Sequence, residues 1–156
     1  MLLETGLYEW LLFFHIVAVA VWLGGLVVIS VLATLVLRSG DLELVRRFTG
    51  SLRIVGPTIL APSMLAVLAF GIWLVVRTDA WSFGQGWVIA GLSLFAAAFL
   101  IGTALQARSA IGAQRAAERG DKEAALRHLR SWIRGMTAIA ILLVVAAWDM
   151  VAKPGL

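Results

Sequence analysis

Four long apolar blocks, parted by two basic connectors and one short turn, set the pattern of the chain. The first block runs from Trp10 to Leu37, 28 residues, or about 42 Å as a helix. That exceeds a hydrocarbon core of about 30 Å, so this helix tilts or protrudes. The second block, Ile54 to Val76, contains Pro57 and Pro62. Pro57 suits a first turn, and Pro62 predicts a kink. The third runs from about Trp87 to Leu105. The fourth begins near Trp132 or Gly135 and ends at Val151. No stretch shows strand-like alternation. The predicted class is therefore an all-α membrane protein, a four-transmembrane-helix bundle in a single domain over residues 1–156. Its spans are about 10–37, 54–76, 87–105 and 135–151.

Composition agrees with that pattern and narrows the chemistry. Of 156 residues 62% are hydrophobic and 14% charged, against an apolar share of roughly 45–50% in a soluble domain. There is no cysteine, which excludes disulfides, iron–sulfur ligation and thiolate metal sites. The start of the chain has no Lys or Arg before its apolar run and carries Glu4 and Glu9 instead. It reads as a retained first span rather than a signal peptide.

The charges give an orientation. Arg38, Arg46, Arg47 and Arg53 lie between the first two spans. Arg108, Arg115, Arg119, Lys122, Arg127, Arg130 and Arg134 lie between the last two, so 11 of the 13 basic residues fall in these connectors. By the positive-inside rule both connectors are cytoplasmic and both termini face outward. The net charge of +4 then marks orientation and contact with anionic headgroups, not a nucleic-acid partner. Trp10, Trp81, Trp87 and Trp148 fall near outer ends and Trp132 near an inner end, as interfacial anchors do. Trp22 lies about 18 Å along the helix from Trp10, in mid-membrane.

The two connectors resemble each other at a spacing of 80 residues. Gly40-Asp41-Leu42-Glu43 matches Gly120-Asp121-Lys122-Glu123, Arg47 matches Arg127, and Ser51 matches Ser131. Gly40 and Gly120 suit a left-handed helix end, and Asp41 and Asp121 suit N-caps. Each connector is expected to restart as a basic amphipathic helix. The pattern suggests two parallel copies of a helical hairpin, 1–80 and 81–156. The copies are chemically unequal, because His15 corresponds to Phe95.

His15 is the one ionisable residue within the first apolar run, and an ionisable group inside a span is a functional candidate. It lies about 7–8 Å below Trp10 along the helix. On that helix His15, Ala18, Val19, Trp22, Gly25 or Leu26, and Ile29 share one face. Asp149 lies about 21 Å up the last span from Gly135, at a similar depth to His15. It calls for a partner, and His15, Arg77 and Lys153 are candidates. A histidine facing a bundle interior among aromatic and small residues can ligate haem iron, or can hydrogen-bond between helices. His128, in the second connector, reads as a solvated or headgroup-level residue on the far side. The sixth position on a haem is left to no residue, to Met150 or Met64, or to His15 of a second chain in a homodimer. The candidate cofactor set is His15, Trp22, Asp149 and Met150, with haem b as the cofactor and His15 as the iron ligand. No nucleotide motif, catalytic triad or HExxH zinc motif is present.

The stretch His15-x6-Trp22-x-Gly24-Gly25 resembles a group of small bacterial membrane proteins. The group includes the CopD copper-resistance proteins, the HemJ protoporphyrinogen oxidases and uncharacterised four-helix integral membrane proteins, the last being nearest in size and connector character. The resemblance implies a compact helical bundle with haem or copper chemistry at the first-helix histidine, here His15. Unlike HemJ-like proteins, this chain has no lysine within its spans. The expected function is electron transfer or porphyrin-linked redox chemistry. The alternative is a non-catalytic interaction subunit or a copper or small-molecule permeation component.

Overall fold

The computed structural model describes the backbone of residues 2–154 and the side chains of residues 6–154. The described residues form six α-helices: α1 (Leu2–Ser39), α2 (Leu42–Val55), α3 (Ala61–Arg77), α4 (Gly86–Leu100), α5 (Ala107–Glu118) and α6 (Lys122–Ala152). Two π turns, Gly56–Leu60 and Ile101–Gln106, join α2 to α3 and α4 to α5 without a break. The result is four rods, each with an apolar window long enough to cross a membrane. Among the described residues there is no strand. The all-α, four-span expectation holds, and each rod runs beyond its apolar block. The third rod, for example, continues past Leu105 to Glu118.

The connectors fold as their sequences require. Gly40 and Gly120 both have positive φ, 62° and 76°, a conformation open to glycine at little steric cost. The Asp41 carboxylate accepts from the Glu43 N–H at 2.8 Å, and the Asp121 carboxylate accepts from the Ala124 N–H at 3.0 Å. Each satisfies a donor that the helix start leaves free. Equivalent residues 80 apart thus end and restart the helices alike. In α2, Glu43 pairs with Arg46 and Arg47 at 2.8 Å each. All three side chains are exposed, so the pairs add little stability.

At Pro62, where a kink is expected, a π turn immediately precedes the proline's helix. Pro57 lies inside that turn, whose end is marked by the Ala61 N–H donating to the Gly56 carbonyl. Pro57 and Pro62 can give no N–H to the preceding turn, so the four-residue ladder is lost there. The Thr58 and Ser63 hydroxyls donate back to the Ile54 and Ile59 carbonyls, both at 2.6 Å.

Packing follows a ring. α1 packs on α3 and α6, α6 on α4 and α5, and α5 on α2. In the inner half the ring is closed. Val45, Ala113, Ala125 and Leu129 are enclosed there, and the small alanines let backbones approach closely. In the outer half α3 and α4 do not pack against each other along their lengths. The two π turns lie where these rods pass from the closed half to the open one. π turns redirect a helix axis, and here they let the pair diverge.

On α1 the buried side chains are Leu11, His15, Ala18, Trp22, Leu26, Ile29 and Ala33. Their steps of three or four residues form the seam expected of a helix in a bundle. Trp10 and Trp148 are exposed, at 62% and 63%, as anchors should be. Trp132 is not an anchor. It is buried, meets Phe48 edge-to-face at 5.6 Å, and its carbonyl accepts from Gln106 Nε2 at 3.0 Å. The rods overrun the span at the inner end, so Trp132 falls within the packed connector region. His128 is likewise not free in solvent. A Cβ at Gly112 would lie 2.7 Å from its Nδ1, so the ring rests on that glycine.

Candidate cofactor site

The gap between α3 and α4 contains a cavity of about 500 Å³, within the size range of cofactor pockets. α1 contributes His15, Val19 and Tyr8. α3 contributes Val67, Gly71 and Val75. α4 contributes Trp87, Gly91 and Phe95, and α6 contributes Leu143, Ala146 and Met150. Trp81 and Phe83 of the α3–α4 loop and Lys153 at the end of α6 form the outer rim. The loop is ordered by Gln85. Its Oε1 accepts from Trp87 Nε1 at 3.1 Å, and its Nε2 donates to the Ala80 carbonyl at 3.1 Å. Trp81 then meets Trp87 edge-to-face at 5.2 Å.

His15 is 7% exposed, and its Nδ1 is buried with no hydrogen-bond partner among the described residues. The ring is seated by Gly71, where a Cβ would lie 3.1 Å from His15 Cε1 and 3.5 Å from Nδ1. Any other residue at 71 would crowd the imidazole. The Val67 main chain, one turn earlier on α3, faces the same ring.

Met150 lines the same cavity as His15, whereas Met64 packs in the core away from it. Of the two methionines considered as a second ligand, the fold brings only Met150 to the cavity. Trp22 is buried at 4% but is not a cavity wall. It meets Phe95 edge-to-face at 5.7 Å, and Phe95 lines the cavity. Trp22 therefore supports the site from below. His15 and its 80-residue counterpart, Phe95, face one space.

Asp149 is 5% exposed and not part of the cavity wall. Its expected partners are not engaged: it makes no ion pair with His15, Arg77 or Lys153, and its Oδ2 has no hydrogen bond among the described residues. The carboxylate packs on Gly91, where a Cβ would lie 3.6 Å from Oδ2 and 3.4 Å from Met150 Cε. Lys153 points elsewhere, with Nζ 3.9 Å from the centroid of the Trp81 ring. Helix direction explains this. Lys153 is the left-handed cap of α6 (φ 41°), so the chain turns there and carries the side chain over the loop.

Gly71 and Gly91 were not singled out from the sequence as parts of a site, and Lys153 was considered only as a partner for Asp149. A glycine in an apolar helix becomes informative only when the facing side chain is known. Among the described residues no cluster of three or more His, Asp or Glu could hold a bare metal ion. The cavity brings together one imidazole, one thioether and aromatic walls.

Over residues 9–154 the sequence matches DUF2269, a family described as predicted integral membrane proteins. The chain belongs to this family. No curated protein and no solved structure matches it. The DUF2269 match takes in His15, Met150, Lys153 and every cavity wall except Tyr8. The description agrees with the four apolar rods.

Proposed function

We propose that this DUF2269 protein binds haem b in the α3–α4 cavity through His15, and serves electron transfer or porphyrin-linked redox chemistry in the bacterial inner membrane. The observation that carries this reading is that a buried imidazole, His15, and the Met150 thioether line one apolar, aromatic-walled space. Both side chains are known types of axial haem ligand. Gly71 gives the imidazole its place, and Trp87 and Phe95 exclude water from the walls. Bound haem would supply one-electron redox chemistry. The protein's own part is to hold the iron, with Met150 as the candidate second ligand, and to keep the site dry. The basic connectors at the closed end support an orientation with both termini outward.

The visible spectrum of the full-length protein, purified in detergent and supplied with haem, tests this. A Soret band is expected in the wild type. His15→Ala should abolish it, and Met150→Leu should shift it by changing the sixth position. A well-folded protein that takes up no haem overturns the reading. It would favour the alternative of a non-catalytic membrane module.

A further inference from the structure

We propose that Lys153 is the anchor for a carboxylate carried by the cavity's ligand. The ligand class is a membrane-dissolved amphiphile whose apolar body enters between α3 and α4. This rests on reading the cavity as a binding site, but not on iron ligation by His15.

Three observations carry it. First, the cavity is apolar below and has a cation at its rim. Lys153 lines it, while Arg77, the other basic residue at that end, is exposed and does not. Second, Lys153 is placed there by the backbone. Its φ of 41° is the one positive value at a non-glycine residue among those described, and its N–H donates to the Asp149 carbonyl at 2.8 Å. A non-glycine residue persists in that backbone conformation only where the surrounding structure holds it there. Third, the ammonium lies on aromatic faces, 3.9 Å from Trp81 and 5.6 Å from Trp87, with no carboxylate at ion-pair distance among the described residues. Contact with a ring face leaves ammonium donors available. A carboxylate at the outer surface, on an apolar body reaching down toward Phe95 and His15, complements this arrangement. The gap between α3 and α4 supplies the route, since both helices face lipid there.

The test uses metal-free protoporphyrin IX and its dimethyl ester, titrated into the full-length protein in nanodiscs of zwitterionic lipid. Quenching of tryptophan fluorescence reports binding, because Trp81 and Trp87 flank the mouth. The acid should bind about tenfold more tightly than the ester, as a charge-assisted contact implies. Lys153→Gln should remove that preference. Lys153→Arg should keep most of it, and Arg77→Gln should leave it unchanged. Equal binding of acid and ester overturns the proposal, as does a preference that survives Lys153→Gln, or no binding of either. A preference lost when phosphatidylglycerol is added to the disc also overturns it, assigning Lys153 to lipid headgroups. Failure of iron ligation is read separately, from a haem Soret band that does not depend on His15.

Discussion

Replacing Asp149 by asparagine should make the protein more stable. The carboxylate is buried on α6, its Oδ2 has no hydrogen bond, and no described cation pairs with it. An aspartate at the bilayer centre costs roughly 2.5–3.5 kcal/mol. Asp149 lies four residues before the Lys153 cap, about 6 Å from the helix end, so the cost here is smaller, about 1–2 kcal/mol. It also sits in the last turn of α6, where the helix dipole disfavours a negative charge by about 0.3–1 kcal/mol. Asparagine keeps the shape that fits against Gly91, so no overlap offsets the gain. A net gain of about 1–2 kcal/mol corresponds to a rise in Tm of about 2–8 °C for a chain of this size. Thermal unfolding of the detergent-purified protein, followed by circular dichroism, measures it. A Tm equal to or below that of the wild type refutes the reasoning, because it would mean the carboxylate is engaged in the folded state.

Other outcomes follow from the same geometry. Gly71→Ala should leave the fold intact, since alanine gains about 1 kcal/mol of helix propensity, yet its Cβ 3.1 Å from His15 Cε1 should shift the imidazole and weaken haem uptake several-fold. Unchanged uptake and spectrum would contradict the seating role. Gly120→Ala should cost about 1–2 kcal/mol, because φ is 76° there, and Asp121→Ala about 1 kcal/mol through loss of its cap. Both are read as a lowered Tm, while an unshifted Tm speaks against the turn geometry. The chain has no cysteine, so Ser51→Cys and Ser82→Cys report topology directly. In spheroplasts an impermeant maleimide should label position 82 and not 51, and the reverse pattern would invert the proposed orientation.

Much of the fold was legible because it is local. Spans follow from apolar length, and the turns at Gly40-Asp41 and Gly120-Asp121 follow from the backbone needs of those residues. The buried face of α1, with His15 and Trp22 together, follows from helical period. What was hidden depends on which rods meet and where they part. Asp149 called for a partner by a rule about charges in lipid, but glycine-lined packing between α4 and α6 encloses it instead. Trp132 matched an interfacial pattern, yet the inner connectors form a packed layer around it. The cavity itself comes from two interrupted hydrogen-bond ladders. Only the one at Pro57 and Pro62 leaves a mark in the sequence; Ile101–Gln106 carries no proline.

The interruptions fall on only two of the four rods. α1 and α6 are unbroken through the membrane, and they carry His15 and Met150. The rods that carry the cavity's other walls, α2–α3 and α4–α5, are each jointed between a clamped lower segment and a splayed upper one. Such an arrangement separates stiffness from access. The two side chains proposed as ligands, His15 and Met150, thus stand on unbroken rods, and the interruptions fall on the rods that border the opening.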